Sequence, residues 1–219
     1  MARQKDKGPK PVEIAVAGVL TLLLGLVGGG LFLALQPIKE VREPVSEDER
    51  EFGAVYYVRG RSGTQEHQTW QVKKEAVNSA ISGEFEVVEQ ELNLWAANDF
   101  RHIEDSGGGF VHIQPSTPSF RIADSELQAA LPLEWNIFGL NRKIQSQARG
   151  TFERRGGVYT FSPDRVYIGA CPVPRVFGLA DYFVNKVVAA FEVTPEFRDG
   201  WSQIEELSLD GETLRFVIP

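Results

Sequence analysis

The longest apolar run in the chain extends from Ile14 to Gln36 without a charged residue. As a helix, at about 1.5 Å per residue, it would cover about 35 Å, which is enough to cross a hydrocarbon core of about 30 Å. The alternative is a cleaved signal peptide, whose apolar region is about 7 to 15 residues long and is followed by a small-residue cleavage site. No such site follows here, so we predict an uncleaved transmembrane helix over residues 14–36, behind a basic head of residues 1–13.

Polar and charged positions dominate directly after this run. Pro37 should end the helix, and residues 37–51 combine proline with a high density of charge, as exposed linkers do. We therefore predict a linker over residues 37–51 and a folded domain over residues 52–219.

One pattern occurs three times in this domain. WQVKKEAVN begins at Trp70, FEVVEQELN at Phe85 and FRIADSELQ at Phe120. Each starts with an aromatic residue, has Val or Ile two positions later, and ends with Asn or Gln after Val or Leu. Because two-residue alternation is typical of a strand and three- or four-residue spacing of a helix, we predict a strand-to-helix corner in each unit.

The three predicted corners differ in detail. In the second unit, Glu89 falls where a helix N-terminus favours negative charge. In the third, Asp124 is predicted to cap a helix that ends at Pro132. The first unit predicts a helix over residues 73–82 with Gly83 at its C-cap. The spacing of the units is irregular, which excludes a solenoid of fixed repeat.

Alternating positions beyond Pro132 predict a sheet with helices packed on it. The return strand of the first hairpin is interrupted at residues 162–164, which indicates either two strands or one kinked edge strand. The further predicted elements are a hairpin turn at residues 155–157, a helix with a wide apolar face over residues 176–191, a helix over residues 195–207, and a hairpin about Asp210 and Gly211. The predicted fold class is α+β, with one N-terminal transmembrane helix and a mainly antiparallel, curved sheet.

Charge is distributed unevenly along the chain. The net charge is −7, and residues 1–36 carry four basic and two acidic residues, so the remainder carries −9. An acidic domain of this kind is a poor binder of nucleic acid. The Lys and Arg count before and after the span favours a cytoplasmic N-terminus and an extracytoplasmic C-terminal domain in the inner (cytoplasmic) membrane. A single cysteine and the absence of an N-glycosylation signal fit a bacterial cell envelope protein of the periplasm.

Residues capable of catalysis are present, but their spacing predicts no enzyme. The three histidines, His67, His102 and His112, show no metal-binding spacing, although a site from His102, Asp105 and His112 is conceivable. Cys171 lies between a predicted strand and two prolines with no identifiable base, which favours a small buried apolar role. We predict no catalytic residue, no metal and no cofactor.

Glycines within the apolar run suggest a second property of the helix. Gly25 and Gly29 form a G-x-x-x-G pair, which would allow close approach of another transmembrane helix. The alternative is that glycine is simply frequent in membrane helices.

The chain resembles uncharacterised membrane-anchored proteins of the bacterial envelope. The resemblance rests on the N-terminal anchor, on Glu91-Leu92-Asn93 and Glu126-Leu127-Gln128, and on the stretches ARGTF and VYIGACPVPR. Some relatives of that kind are thought to have a tubular lipid-binding type of fold. The resemblance implies a curved sheet around a long helix and a groove for an acyl chain or another apolar molecule.

Two functions follow from these features. The first is a non-enzymatic envelope protein that acts as an interaction or assembly subunit, with the lipid bilayer and a further membrane protein as partners. The alternative is a module that binds or transfers a lipid or another apolar ligand. The candidate lining of its groove is Trp135, Ile137, Phe138, Tyr159, Phe161, Phe183, Val187 and Phe191.

Overall fold

The chain combines helices with two antiparallel sheets, and this confirms the predicted α+β class. The computed structural model describes residues 10–36, 38–43, 45–51, 54–63, 69–99, 111–137, 140–174, 178 and 194–219. Within these ranges the helices are α1 (Pro11–Ala34), α2 (Thr69–Asn78), α3 (Glu89–Asp99) and α4 (Pro195–Ser202). The strands are β1 (Ile38–Val41), β2 (Val55–Val58), β3 (Gly83–Val88), β4 (Val111–Pro115), β5 (Ser119–Ala123), β6 (Glu126–Ile137), β7 (Leu140–Arg155), β8 (Val158–Ile168), β9 (Cys171–Pro172), β10 (Glu206–Asp210) and β11 (Thr213–Ile218).

The largest sheet contains β4, β6, β7, β8 and β9 in that order, with β5 also paired to β6. All its pairings are antiparallel. The predicted hairpin is confirmed, because β7 and β8 turn at Gly156 and Gly157, whose φ angles of 59° and 89° suit a two-residue turn. The segment predicted to be interrupted is one continuous strand, because β8 runs through Pro163. The irregularity is instead a shift of register between Arg149 and Gly150 in the pairing of β7 with β8.

A smaller sheet carries three of the helices. Its order is β10-β11-β3, and the predicted C-terminal hairpin is confirmed at Gly211, whose φ is 57°. One apolar core joins this sheet to α2, α3, β5 and β6. Its buried members are Val77, Val87, Leu92, Ile122, Leu127, Ile204, Leu214, Phe216 and Ile218.

The three repeated units fold in three different ways. The second unit is the predicted corner, because β3 ends at Val88 and α3 begins at Glu89. In the first unit the prediction was wrong at both ends of the helix. α2 begins at Thr69, so Trp70 is already helical, and it ends at Asn78, so the predicted C-cap Gly83 instead begins β3.

The third unit is not a corner, and that prediction was wrong. Asp124 and Ser125 have φ of 55° and 59°, and they form a two-residue turn that joins β5 to β6. Aspartate suits such turns as well as helix caps, so its presence did not distinguish the two. The C-terminal helix is also shorter than predicted, ending at Ser202 rather than near Leu207.

A pair of parallel strands follows the apolar helix. β1 lies inside the segment predicted to be a linker, and it pairs in register with β2 from Ile38 opposite Val55 to Val41 opposite Val58. Tyr57 of β2 is buried. Burial raises the pKa of this phenol, and a hydrogen bond with Ser119 offsets only part of the effect.

The predicted apolar helix over residues 176–191 lies outside the described residues, apart from Gly178. The curvature of the large sheet and the packing of that helix stay predictions.

Candidate functional site

The apolar helix α1 is exposed over nearly its whole length. It spans 24 residues and is long and apolar enough to cross a membrane. Large side chains on several sides of it are open, with Leu24 72% exposed and Phe32 69% exposed. Pro11 and Glu13 suit the start of a helix, and the Glu13 carboxylate accepts a hydrogen bond from the Lys10 N–H at 3.0 Å. Exposure of so much apolar surface to water is unfavourable, which is compatible with a membrane-spanning or signal segment.

The C-terminal end of α1 is built into the folded domain. The Ala170 N–H donates to the Leu33 carbonyl at 3.1 Å, and Ala34 is buried. Gly169 has a φ of 58°, and a Cβ there would lie 2.8 Å from the carbonyl carbon of Ala34. Glycine is therefore needed at this position for both its backbone conformation and its lack of a side chain. We call the contact between the last turn of α1 and residues 169–171 the membrane joint.

Two further contacts adjoin the membrane joint, one at Gly30 of α1 and one at β7 of the large sheet. A Cβ at Gly30 would lie 3.7 Å from the Cys171 sulfur, which is ordinary van der Waals contact. The Gly169 N–H donates to the Gln145 carbonyl of β7 at 2.7 Å. The helix end is thus linked by hydrogen bonds to the β8–β9 turn and through it to the longest strand of the sheet.

A different side of α1 carries the glycine pair. At Gly18, Gly25 and Gly29 a Cβ would meet nothing within 4 Å. Spaced seven and four residues apart, they lie on one side of the helix, and Gly30 of the membrane joint is about 100° around the axis from Gly29. We call the side of α1 that carries Gly18, Gly25 and Gly29 the glycine side, and the described part of the domain does not contact α1 at these three positions.

The FEVVEQELN unit holds the domain together through buried polar side chains. Glu89 is buried, and its carboxylate accepts from the Ile122 N–H at 3.1 Å and from the Arg61 N–H. One turn later on α3, Asn93 accepts from the Phe120 N–H at 2.7 Å and donates to the Phe120 and Arg61 carbonyls at 2.7 and 2.9 Å. We call Glu89, Glu91 and Asn93 the polar clamp.

Glu91 joins the same helix to α2. Its carboxylate accepts from the Lys73 ammonium at 2.6 Å, from the Thr69 hydroxyl and from the Val88 N–H at 3.0 Å. Burial acts to raise the pKa of Glu91, but these hydrogen bonds outweigh it and hold the pKa below its usual range. The carboxylate is fully engaged by structural partners, as is the Asn93 amide.

An apolar cavity of about 50 Å³ lies beside the polar clamp, between the helices and the small sheet. Aromatic rings dominate its walls: Phe197 stacks on Trp201 with centroids 5.8 Å apart and lies 5.3 Å from Trp95. Trp70 completes this aromatic cleft, with Lys74 over its ring at 5.7 Å. An engineered cavity that binds benzene is about three times larger, so the cleft has room for a small group and not for an acyl chain.

The residues predicted to line a groove are dispersed. Trp135 pairs with Arg142 of β7, while Tyr159 pairs with Arg154 and Phe161 with Phe152. Residues 142 and 154 are 12 positions apart on β7, about 40 Å along an extended strand. Tyr159 and Phe161 pack against the core beside α4, and Trp201 donates from its ring nitrogen to the Tyr159 carbonyl at 2.8 Å.

Ile137 lies near Trp135 at the end of β6, opposite Leu140. Phe138, Phe183, Val187 and Phe191 lie outside the described residues. Ligand binding by this set stays a prediction.

Metal-binding and reactive groups were also located. Among the described ranges, no group of three His, Cys, Asp or Glu side chains could hold a metal ion. His112 lies in β4, whereas His67, His102 and Asp105 fall outside the described residues. Cys171 is half-buried and belongs to the membrane joint.

Sequence reasoning had missed the membrane joint and the polar clamp. Residues 33 and 170 are far apart in the chain, and no local pattern signals their contact. A signal for the clamp was present, because Glu89 and Asn93 are four residues apart and must share one side of a helix. No protein-family model matches the chain, and no curated protein matches it significantly.

Proposed function

We propose that the protein is a non-enzymatic, membrane-anchored envelope protein that acts as an interaction or assembly subunit. The observation that carries this proposal is the membrane joint. There the Ala170 N–H binds the Leu33 carbonyl, and Gly169 packs against the backbone of Ala34. A helix attached in this way orients the domain relative to the bilayer, whereas a simple tether would need no such contact.

The glycine side of α1 supports a partner within the membrane. A Cβ at Gly25 or Gly29 would meet nothing within 4 Å, so the described part of the domain leaves space for a second helix to approach these residues. Close backbone approach at small residues is a main source of helix association in lipid.

The proposed location follows from the same helix. We place α1 in the inner membrane with its basic N-terminus in the cytoplasm, and the C-terminal domain outside. β8 extends from the membrane joint for 11 residues, about 35 Å, which is the greatest distance that its far end could reach from the bilayer along this strand.

A non-catalytic role is supported by the polar clamp. Glu89 and Glu91 are the buried carboxylates of the described chain, and both accept hydrogen bonds from backbone or side-chain donors that hold elements together. A general acid or base must be free to exchange a proton with a substrate, whereas these carboxylates are occupied by structural hydrogen bonds.

Binding of a lipid or another apolar ligand is the second candidate, and the aromatic cleft is the observation that favours it. Its volume of about 50 Å³ fits a small group only, and the predicted lining residues Trp135 of β6 and Tyr159 of β8 pair with opposite ends of β7. We therefore rank interaction above ligand transfer.

Gentle detergent extraction of the full chain tests the proposal. We expect a stoichiometric membrane-protein partner to co-purify with the unmodified chain and to be lost from the Gly25→Leu/Gly29→Leu variant. Ala17→Leu, which enlarges an apolar side chain about 100° away from the glycine side, should retain the partner.

Two results would overturn this proposal. One is a partner-free monomer that retains a near-stoichiometric lipid by mass spectrometry, which would favour the second candidate. The other is a partner whose recovery the glycine variant leaves unchanged, which would remove the glycine side as the contact.

A further inference from the structure

Three arginines line one cleft in the segments that follow α1 in the sequence. Arg42 follows β1, and Arg59 and Arg61 follow β2. The cleft measures about 480 Å³, and its lining is completed by Glu43, Gly60 and Ser62. A volume of this size falls within the range of about 300 to 1,000 Å³ that is typical of small-molecule sites.

The strand register places two of these arginines side by side. β1 and β2 are parallel with Val41 opposite Val58, and the Arg59 N–H donates to the Val41 carbonyl at 3.0 Å. The ladder thus continues so that Arg42 and Arg59 are neighbours, while Arg61 is two residues further along the same extended backbone. Adjacent like charges repel each other, so this register places an unfavourable repulsion between Arg42 and Arg59. A bound anion would reduce that repulsion.

The backbone beneath the arginines is fixed by the polar clamp. Glu89 accepts from the Arg61 N–H, and Asn93 donates to the Arg61 carbonyl at 2.9 Å. Gly60 donates to the Ser119 hydroxyl at 3.2 Å, and a Cβ there would lie 2.8 Å from the Asn93 side-chain nitrogen. Buried polar groups therefore hold the backbone of a surface segment whose residues line the cleft, and a fixed backbone of this kind lowers the ordering cost of binding.

Carboxylates near the cleft compete only weakly for the arginines. Arg59 lies 3.6 Å from Glu40 and Arg61 lies 3.3 Å from Glu212, and all four side chains are at least half exposed. Exposed ion pairs of this kind contribute little to stability, so a doubly charged anion can displace them. Arg42 forms no ion pair with the described residues, and the charged lining residues sum to +2 (three arginines and Glu43).

We propose that this arginine cleft binds a phosphate group. Arginine presents planar, paired donors that match phosphate oxygens, and two or three such groups around one cleft favour phosphate over a monovalent anion. The phosphate belongs to an anionic lipid headgroup or to a soluble phosphate compound. The lipid source rests on the proposed membrane placement, since Arg42 is eight residues from the end of α1 and so at most about 30 Å from it.

The first arm of the test uses inorganic phosphate and the full chain in a non-ionic detergent. Calorimetric titration with phosphate is compared with chloride at equal ionic strength. We expect saturable phosphate binding whose affinity falls at least about tenfold in Arg42→Gln/Arg59→Gln. Arg165→Gln/Arg198→Gln, which removes two exposed arginines elsewhere, should bind as the unmodified chain does.

The second arm uses nanodiscs of phosphatidylcholine with a minor fraction of phosphatidylglycerol. After extraction, mass spectrometry counts the phosphatidylglycerol that stays bound. If the Arg42→Gln/Arg59→Gln variant retains less phosphatidylglycerol, the phosphate belongs to a lipid headgroup. If the variant loses only the binding of inorganic phosphate measured in the first arm, the phosphate belongs to a soluble compound. The first arm needs no bilayer, so its outcome is independent of the membrane placement.

The variants also separate binding from folding. Arg42→Lys/Arg59→Lys keeps both charges but loses the paired donors, and we expect an affinity between those of the unmodified chain and the glutamine variant. Thermal unfolding should be unchanged in all three double variants. The proposal is overturned if phosphate gives the same heat as chloride while lipid retention is unaffected by the glutamine variant.

Discussion

Two glycines share a left-handed backbone but differ in what surrounds them. Gly169 and Gly156 have φ of 58° and 59°, yet a Cβ would meet Ala34 at Gly169 and nothing within 4 Å at Gly156. Gly156→Ala should therefore cost only the strain of a left-handed residue, about 1–2 kcal/mol. Gly169→Ala should cost at least about 1 kcal/mol more because of overpacking. Chemical unfolding of both variants in detergent checks the difference, and equal costs would mean that the membrane joint adds nothing.

Glu91 should contribute more to stability than any exposed carboxylate. Its side chain is 3% exposed and pairs with Lys73, so Glu91→Gln leaves a partly buried ammonium without its charge partner. We expect a loss of about 3 kcal/mol. The matched control is Glu84→Gln, which removes the exposed pair with Arg215 and should cost less than about 1 kcal/mol. A comparable loss in both variants, measured by urea unfolding, would contradict the structural role of the polar clamp.

The pH dependence of stability follows from the same carboxylate. Glu91 has a lowered pKa in the folded state, so as the pH falls the unfolded chain takes up this proton first. The stabilisation is thus fully present above the usual value of 4.5 and is lost as the pH falls through the folded pKa. Between pH 6 and 3 the unmodified chain should lose more stability than Glu91→Gln does. Parallel pH profiles for the two proteins would contradict this assignment.

At the scale of elements, the sequence predicted those features that depend on neighbours in the chain. The hairpin at Gly156 and the corner at Glu89 needed only local turn chemistry and periodicity. The third unit misled because Leu127, Ala130 and Leu131 fit a helical spacing, while in β6 Leu127 and Leu131 are buried on one face and Ala130 on the other. Burial on both sides of a strand removes the alternation that would identify it.

Side chains that connect different helices and strands could be predicted from the sequence only as far as their spacing on a single helix. Glu89 and Asn93 share a side of α3 by spacing alone, but their partners at Arg61 and Phe120 come from distant segments. The membrane joint depends on a contact between residues 33 and 170, which no periodicity encodes. The arginine cleft likewise exists because β1 and β2 pair in one particular register.

α4 offers a test of how the two sheets are held together. Trp201 donates from its ring nitrogen to the Tyr159 carbonyl at 2.8 Å, and its ring lies 6.2 Å from that of Phe152. Trp201→Phe should keep most of the packing and lose one hydrogen bond, about 1 kcal/mol, whereas Trp201→Ala should lose about 3 kcal/mol or more. Thermal unfolding of both variants provides the comparison. Equal effects would mean that the hydrogen bond, and not the ring, is the link.

At the scale of the whole molecule, the proposed membrane placement and the fold meet at the end of α1. α1 is an exposed apolar helix whose last turn contacts the domain, so under that placement the boundary between domain and membrane would lie at residues 33–34. A domain released from α1 would lose the partner of the Ala170 N–H. Experiments on partners, lipids and phosphate are therefore designed for the full chain.

The orientation of the molecule decides which leaflet the arginine cleft faces. In a Cys171→Ser background, Ser208→Cys places a thiol at an exposed position of β10, and Lys7→Cys places one in the basic head. With the N-terminus in the cytoplasm, a membrane-impermeant maleimide should label the first variant in intact spheroplasts and the second only after lysis. The opposite pattern would reverse the topology. It would also move the proposed phosphate site to the cytoplasmic leaflet, because Arg42 and Ser208 both follow α1 and share its C-terminal side of the membrane.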